Sequence, residues 1–193
     1  MDQSTLTGRL LVAAPLLQED SFRRSVVFVV DDEADGTLGV ILNRPLPTAV
    51  DEVVEAWGPY ASEPAVMFSG GPVGEGSGIA LGTVGSDGEP PGWAPLEGID
   101  PAQGLGGLGV VDLDGPPEVL GGALGSFRVF AGYAGWGSGQ LAGEIGEGAW
   151  YVLEALPGDV FTTEPERLWS RVLRRQGGEL ALLSTYPDDP SMN

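Results

Sequence analysis

Apolar residues in this chain fall mainly into short runs, and glycine, proline or acidic residues stand between those runs. Short runs rich in valine, isoleucine and aromatic residues are typical of strands. Two of the runs are separated by an acidic stretch that ends in Asp35 and Gly36, and an Asp-Gly pair in that position indicates a hairpin. The pattern predicts strands over residues 8–14, 25–30, 37–42, 65–68, 79–84, 126–131 and 150–156.

Helical patterns are fewer and shorter than the strand patterns. Thr48 and Asp51 have the spacing of a capping box, which marks the start of a helix. The predicted helices cover residues 49–56, 117–124 and 140–145, and a last helix begins near residue 163. Residues 86–109 are rich in glycine and proline and are expected to form a loop.

The order of these elements indicates a fold class. Strands outnumber helices, and the two kinds alternate without a regular period, which favours an α+β fold. At 193 residues the chain is long enough for one domain with one core. We therefore expect a single domain over residues 1–193, whose ends at 1–6 and 186–193 are frayed tails.

The last predicted helix has the clearest pattern. Thr163 and Glu166 have capping-box spacing, and apolar residues then recur at the spacing of one buried helix face. Those residues are Leu168, Trp169, Val172 and Leu173, and the opposite side carries Arg167, Arg171, Arg174 and Arg175. In a chain with 28 carboxylates we expect these arginines to neutralise neighbouring acids and the helix dipole; the alternative is that they hold an anion or an acidic partner.

The most distinctive segment spans residues 130–141, where an apolar run leads into glycines interspersed with tyrosine, tryptophan and serine. Its glycines are Gly132, Gly135, Gly137 and Gly139. Repeated glycines suit a backbone with positive φ, or a backbone that lies close to another segment. We expect this segment to be a built site, and it indicates no particular reaction.

The composition limits the chemistry. All nine basic residues are arginine, and the chain has no lysine, cysteine or histidine. This excludes a histidine base, a cysteine nucleophile, a lysine Schiff base and a cysteine-histidine zinc site. The acidic run at 31–36 lacks the closing glutamate of a calcium loop, and the glycine pattern at 104–109 leads into a strand-like run instead of a helix. We expect no catalytic residue, no metal and no cofactor.

The formal net charge is −19 at pH 7. Proteins that bind nucleic acid usually carry a basic face that neutralises phosphates, so nucleic acid is not an expected partner. No apolar stretch approaches the roughly 20 residues of a membrane span, and the N-terminus lacks the pattern of a signal peptide. We expect a cytoplasmic protein that does not contact a membrane.

Five segments, taken together and in order, resemble the YqgE/AlgH family of bacterial proteins. They are residues 10–15 (LLVAAP), 22–27 (FRRSVV), 38–46 (LGVILNRPL), 70–73 (GGPV) and 132–141 (GYAGWGSGQL). Ala14 stands where the family commonly has methionine, and Arg44 where it commonly has lysine. The resemblance implies bent, partly coiled mixed β-sheets with several short helices packed around them. It implies no reaction, and the regulator label that some members carry comes without a known DNA-reading element.

We expect a non-enzymatic binding or interaction protein with a regulatory role, whose partner is a protein or a small molecule. Binding residues collect on loops that a rigid scaffold holds, so the expected binding surface consists of residues at turns and beside glycines. They are Arg24, Ser25, Asn43, Arg44, Gly70, Gly71, Pro72, Tyr133, Trp136, Ser138 and Gln140. Each also has a structural explanation: the aromatic residues pack in the core, Asn43 caps a turn and Arg24 pairs with an acid.

Two other functions stay open. A hydrolase would use Ser25, Ser138 or a metal held by carboxylates, but Trp136 stands where the nucleophile motif requires glycine, and no histidine is present. A regulator that binds DNA directly would use the arginines of the last helix, against the charge of the whole chain. Because the 70–72 and 132–140 segments both lie at predicted strand ends, we expect them to converge.

Overall fold

Strands make up much of the chain in this computed structural model, which describes residues 5–86 and 88–187. Within those residues there are ten: β1 Arg9–Ala13, β2 Val26–Glu33, β3 Gly36–Ile41, β4 Pro45–Ala49, β5 Val66–Ser69, β6 Val73–Val84, β7 Trp93–Pro95, β8 Leu108–Val111, β9 Leu124–Gly137 and β10 Trp150–Glu154. All seven strands that the apolar runs predict are present, because β-branched and aromatic side chains pack well on a pleated surface.

The main path of the sheet runs in the order β10-β1-β2-β3-β9-β6-β8-β7, and every neighbouring pair on it is antiparallel. Two strands lie off this path: β4 pairs with β5, and β5 pairs in parallel with β9. The sheet curls into a half-barrel with short helices around it. The expected α+β fold with a bent, mixed sheet is therefore confirmed.

The helices are short, and six α-helices lie within residues 5–86 and 88–187. They are α1 Val50–Val53, α2 Pro117–Leu120, α3 Gln140–Gly146, α4 Pro157–Val160, α5 Leu168–Gln176 and α6 Gly178–Leu183, with 3-10 turns at Glu55–Tyr60, Pro101–Gln103 and Pro165–Arg167. The helix predicted over 49–56 is α1 followed by a 3-10 turn that contains Pro59.

Neither predicted capping box forms at the predicted pair of residues. At α1 the Ala49 N–H donates to the Glu52 carboxylate at 2.9 Å, in place of a Thr48 and Asp51 pair. Before α5 the hydroxyl of Thr162, and not that of Thr163, accepts the N–H of Glu164 at 3.1 Å. Neighbouring polar side chains compete for the same free N–H groups, so spacing alone locates a helix start only to within a residue or two.

The expected hairpin and the expected loop both need correction in their bounds. The β2–β3 hairpin is confirmed, but Gly36 already pairs with Glu33, so the turn consists of Ala34 and Asp35. The predicted loop at 86–109 contains β7 and the start of β8 at the edge of the sheet. Short edge strands tolerate the glycine and proline that make this stretch resemble a loop.

The glycine-rich segment stays in the sheet for longer than its sequence indicates. β9 was expected to end near residue 131, but it continues to Gly137 and pairs with β3 over this stretch. The reason is the alternation within it, because Ala134 and Trp136 are buried in one apolar cluster while Gly135 and Gly137 face outward. A strand is the conformation that places every second residue on one face.

Alternate residues of β1 and β2 enter two different apolar clusters, one on each face of the sheet. One cluster receives the apolar face of α5, formed by Leu168, Trp169, Val172 and Leu173. All four side chains are buried, so the helix face predicted from the spacing is confirmed. The indole N–H of Trp169 also donates to the carbonyl of Ala13 at 2.9 Å, which fixes α5 to the end of β1.

The chain ends that were expected to fray lie partly outside the described residues, namely 1–4 and 188–193. Leu6 is held in place, because its N–H donates to the Asp32 carboxylate at 2.8 Å. The carbonyl of Tyr186 accepts a hydrogen bond from the Arg24 guanidinium at 2.8 Å. The hydrogen-bonded structure therefore reaches into both of the predicted tails.

One arginine lies inside the core. Arg128 on β9 is 1% exposed, and its guanidinium donates to the carbonyls of Val160 at 3.0 Å and Glu63 at 2.8 Å. The guanidinium carbon also lies 4.3 Å from the ring centroid of Phe68. No carboxylate of the described residues forms an ion pair with Arg128, and burial lowers its pKa to about 10. Two carbonyls and an aromatic face thus take the place of a counter-ion.

Candidate functional site

The eleven residues expected to form a binding surface lie in three places. Arg24, Ser25, Asn43 and Arg44 lie where β2 begins and β3 ends; Gly70, Gly71, Pro72 and Tyr133 lie where the β5–β6 connection meets β9; Trp136, Ser138 and Gln140 lie where β9 leads into α3. The first and third places are at opposite ends of β3, because Gly137 pairs with Gly36 at one end and Asn43 follows the other. Seven residues of strand separate them by roughly 20 Å, so the eleven residues do not line one cavity.

Four of the nine arginines line a single cavity of about 610 Å³, which we call the arginine cavity. Its lining consists of Asp20, Arg23, Arg24, Asn43, Arg44, Glu166, Arg167, Trp169, Ser170 and Ser184. These residues come from four stretches of sequence, 20–24, 43–44, 166–170 and 184, which the packing of α5 and α6 on the sheet brings together. The result is a cavity with more cations than anions in a chain whose net charge is −19.

Asn43 holds the cavity's backbone frame. Its side-chain oxygen accepts the Val26 N–H at 2.9 Å, and its amide nitrogen donates to the Arg24 carbonyl at 2.8 Å. The side chain is 9% exposed, so both bonds are largely shielded from water. Asn43 therefore ties the end of β3 to the start of β2, as its structural explanation requires.

Arg24 has an unusual backbone conformation with φ of 54°, in the left-handed region that residues other than glycine rarely adopt. The hydrogen bond from Asn43 to its carbonyl helps to hold it there. Its guanidinium carbon lies 4.0 Å from the ring centroid of Trp169, which is 2% exposed. Strained backbone of this kind concentrates at functional sites, where surrounding contacts over-determine it.

Arg44 lies next to Arg23 in the cavity wall, and its guanidinium donates to the Arg23 carbonyl. Burial lowers the pKa of Arg44, and the positive charge of Arg23 lowers it further. Both effects disfavour the charged form of the guanidinium when no anion is near. An anion in the cavity would offset the effect of the Arg23 charge on the pKa of Arg44.

The arginines of the last helix do not form a free basic face. Arg175 binds the buried Asp159 carboxylate with both of its terminal nitrogens, at 2.7 and 2.8 Å, and Arg171 donates to the Thr162 hydroxyl at 2.8 Å. Arg167 pairs with Glu164 at 3.1 Å. The expectation that these arginines neutralise neighbouring acids is confirmed for Arg167 and Arg175.

The expected convergence of the 70–72 and 132–140 segments occurs at Gly70 and Gly71, and it is a contact between backbones. A Cβ atom on Gly70 would lie 2.2 Å from the Gly132 carbonyl oxygen, and one on Gly71 would lie 2.2 Å from the Tyr133 carbonyl carbon. Only glycine allows this approach, so the two residues serve the packing of the β5–β6 connection on β9. Pro72 is exposed beside them, and Tyr133 is half-buried.

Trp136 is a core residue whose indole N–H is hydrogen-bonded. Its indole N–H and that of Trp150 both donate to one oxygen of Glu144, at 2.9 and 2.8 Å. Gln140 donates to the other oxygen at 3.0 Å, and Phe22 stacks on Trp136. Because its hydrogen-bonding group is already paired, Trp136 positions α3 and is not free to bind a ligand.

Ser138 lies at a second cavity, of about 820 Å³, at the other end of β3. Its charged lining residues are Asp32 and Glu33, and its floor is apolar. Asp32 is already engaged, since it accepts hydrogen bonds from the Leu6 N–H at 2.8 Å and the Thr37 hydroxyl at 2.6 Å. We call this the acidic cavity, and neither of its charged lining residues is a cation.

A sequence profile described as AlgH-like matches residues 10–181 of the chain. The chain belongs to the AlgH-like family. A UPF0301 protein of Thermobifida fusca is 58% identical over 195 residues, which cover 100% of this chain and 98% of that protein. A UPF0301 protein of Mycobacterium tuberculosis is 44% identical over 191 residues, which cover 99% of this chain and 92% of that protein. The resemblance expected from the five sequence segments is therefore confirmed.

Two solved structures share the AlgH-like fold seen here. Protein DIP2367 of Corynebacterium diphtheriae superposes with a TM-score of 0.84 at 33% identity, covering 93% of this chain and 92% of that one. The solution structure of AlgH from Pseudomonas aeruginosa gives a TM-score of 0.68 at 27% identity, covering 98% of each chain. None of these names states a reaction or a ligand, so the geometry of the site carries the argument on function.

Sequence reasoning about this AlgH-like chain missed part of the arginine cavity. The lining residues that were not among the expected binding residues are Asp20, Arg23, Glu166, Arg167, Trp169, Ser170 and Ser184. Arg23 carries a usable signal, because it precedes Arg24 in the FRRS segment that helps to identify the family. Glu166, Trp169, Ser170 and Ser184 carry no such signal, since they join the cavity only when α5 and α6 dock.

Ser25, the other expected residue where β2 begins and β3 ends, has a fully buried hydroxyl with no hydrogen-bond partner within the described residues.

Over the same residues, no three acidic side chains come close enough together to hold a metal ion. None of the helices described is long and apolar enough to cross a membrane.

Proposed function

We propose that this AlgH-like protein is a non-enzymatic binding protein with a regulatory role in the bacterial cytoplasm, and that the arginine cavity takes an anionic group of its partner. The observation that carries the proposal is the gathering of Arg23, Arg24, Arg44 and Arg167 around one cavity of about 610 Å³. Small-molecule and peptide sites are usually concave, with a few placed polar groups. In a chain that is otherwise strongly acidic, this cavity is the place that attracts an anion.

The backbone frame supports a binding role for the cavity. Asn43 joins the two strand ends, and Arg24 is held with a left-handed φ. The frame fixes the backbone at these residues, and the guanidinium groups of Arg24 and Arg44 have contacts of their own, so less side-chain entropy is lost at these two residues when a ligand binds. Preorganised cations are what a binding site needs, whereas a purely structural turn has no use for several of them.

The two alternatives have less support. Direct binding to DNA would need the arginines of the last helix, and the bonds of Arg171 and Arg175 to neighbouring side chains oppose that use. A serine hydrolase would need an accessible nucleophile and a base, whereas Ser25 is 0% exposed and the chain has no histidine. We therefore retain the binding function.

The test is affinity capture from nuclease-treated host lysate, followed by mass spectrometry of the proteins and small molecules that co-purify. Arg44→Gln removes one cavity cation. Arg174→Gln is the matched control, because it makes the same substitution at an exposed residue of α5 that does not line the cavity. We expect a species that wild type and Arg174→Gln retain and that Arg44→Gln loses.

A third variant separates the two ends of β3. Ser138→Ala alters the acidic cavity and leaves every cavity arginine in place. If Ser138→Ala loses the captured species while Arg44→Gln retains it, the binding centre is at the other end of β3 and the proposal is wrong. Capture of the same species by all the variants would equally contradict it.

A further inference from the structure

The arginine cavity has an excess of positive charge. Four arginines but only two acidic residues, Asp20 and Glu166, line it. Arg167 has an acidic neighbour in Glu164, but neither Arg23 nor Arg44 forms an ion pair with any residue in 5–86 or 88–187. The excess is therefore centred on Arg23 and Arg44.

Arg44 is the more buried member of this pair, and Arg23 is exposed. A guanidinium has five N–H donors, and Arg44 makes one hydrogen bond within the described residues, to the Arg23 carbonyl. The remaining donors are available to a ligand. Both residues line the same cavity, and the Arg44 guanidinium contacts the Arg23 backbone, so a ligand with two negative charges could be stabilised by both side chains.

A phosphate monoester suits this pair better than a carboxylate does. It carries close to two negative charges at neutral pH and has three strong acceptor oxygens. Each guanidinium can bind two of those oxygens side by side, which is the arrangement that arginine favours with phosphate. A carboxylate has one charge and two oxygens, enough for a single guanidinium of the two.

The rest of the lining indicates the body of the ligand. The hydroxyls of Ser170 and Ser184 already donate to the carbonyls of Arg167 and Ala181, so they face the cavity only as acceptors. Asp20 and Glu166 are acceptors too. A wall of acceptors favours a ligand rich in hydroxyl donors, and a cavity of about 610 Å³ has room for far more than a phosphate group.

We propose that the arginine cavity binds a small phosphate monoester with a hydroxyl-bearing body, such as a sugar phosphate, and that Arg23 and Arg44 hold its phosphate group. This inference rests on the proposed function and names the ligand of the same site.

The experiment is thermal unfolding and calorimetric titration of the full chain with glucose 6-phosphate. Glucose 6-sulfate is the matched probe, since it has the same body and one negative charge fewer. At a free concentration 100 times the dissociation constant, we expect glucose 6-phosphate to raise the Tm by about 5 to 10 °C. We expect glucose 6-sulfate, and separately inorganic phosphate, to bind at least about tenfold more weakly.

Variants locate the site. Arg44→Gln and Arg23→Gln should each weaken glucose 6-phosphate by about tenfold or more, while Arg174→Gln binds as wild type does. Both cavity variants replace surface or half-buried side chains, and a urea-unfolding midpoint close to that of wild type shows that each is folded. Loss of affinity in a folded Arg44→Gln variant supports the assignment of the phosphate to this pair.

Several results would overturn the inference. Equal affinity for glucose 6-sulfate would mean a general anion site, and equal affinity for inorganic phosphate would mean that the body is not recognised. Binding of a phosphoserine peptide in place of glucose 6-phosphate would assign the phosphate to a protein partner. If no phosphate ester binds while the lysate capture still depends on Arg44, the inference fails and the proposed function stands.

Discussion

The protein buries positive charge in two places, and the two places treat it differently. Arg128 is enclosed in the core, where two carbonyls and the ring of Phe68 surround its guanidinium. Arg44 is only half enclosed in the arginine cavity, where its near neighbour is another cation. Burial lowers the pKa of both residues. Hydrogen bonds from two guanidinium nitrogens hold the first arginine, although its buried Nε has no partner within the described residues. The second arginine becomes electrostatically favourable only when an anion enters.

This contrast distinguishes a structural arginine from a binding arginine in one chain. Removal of Arg128 should affect the stability of the protein and leave anion binding intact. Removal of Arg44 should do the opposite.

Arg128→Ala should reduce the free energy of unfolding by about 3 to 5 kcal/mol. The substitution opens a cavity in the core and leaves the carbonyls of Val160 and Glu63 without their donor. Urea unfolding followed by circular dichroism measures the loss. Arg128→Met is the control, because it preserves much of the volume and removes the buried charge, and it should cost less. A loss below about 1 kcal/mol for Arg128→Ala would show that the core does not depend on this residue.

Asn43→Ala should cost about 2 kcal/mol, because the buried Val26 N–H loses its acceptor and the Arg24 carbonyl loses its donor. Asn43→Asp keeps the acceptor for Val26 but sets a carboxylate oxygen against the Arg24 carbonyl, so it should also be less stable than wild type. The same urea titration compares them. If both variants unfold at the midpoint of wild type, Asn43 does not hold the frame of the arginine cavity.

The contribution of Arg128 to the free energy of unfolding should rise by about 1 kcal/mol between pH 9.5 and 11. The pKa of Arg128 is lowered to about 10 from 12.5, so above pH 10 the folded protein releases a proton that the unfolded chain still binds. The contribution of Arg128 to stability therefore rises with pH in this window, and the cost of its burial is complete below it. The measurement is the difference in unfolding free energy between wild type and Arg128→Met at each pH. A difference that does not change with pH would contradict this assignment.

Arg44→Met should change the free energy of unfolding by less than about 0.5 kcal/mol in the absence of a multivalent anion. The substitution loses a hydrogen bond to the Arg23 carbonyl but also relieves the repulsion between two cations. Added sulfate or phosphate should then stabilise wild type more than the variant, as thermal unfolding can measure. A large loss of stability without anions would make Arg44 a structural residue like Arg128.

Local parts of the fold could be predicted because neighbouring residues carry their signal. The hairpin between β2 and β3 follows from two apolar runs around an Asp-Gly pair, and the buried face of α5 follows from the spacing of Leu168, Trp169, Val172 and Leu173. The strand continuation to Gly137 was missed because glycine weakens the strand signal even where its neighbours are buried.

Neither charged site could be predicted to the same extent. Phe127, Arg128, Val129 and Phe130 are all buried, so this part of β9 shows no alternation that would mark Arg128 as internal. In the arginine cavity, Arg24, Asn43 and Arg44 were expected, but Glu166 and Arg167 join them from more than 120 residues away when α5 docks. Long-range packing decides which polar residues meet, and sequence spacing does not report it.

The pairing of β1 with β10 has a consequence for how the protein is made. Arg9 leaves the ribosome early, and its partner Glu154 is synthesised 145 residues later. Contacts between such distant residues form slowly, because the entropy of closing a long loop is lost before the contact is gained. During most of translation one edge of β1 has no partner, and the apolar run that ends at Ala13 is open to other nascent chains. The contacts of Ala13 with Trp150 and Trp169 can form only when the last quarter of the protein has emerged.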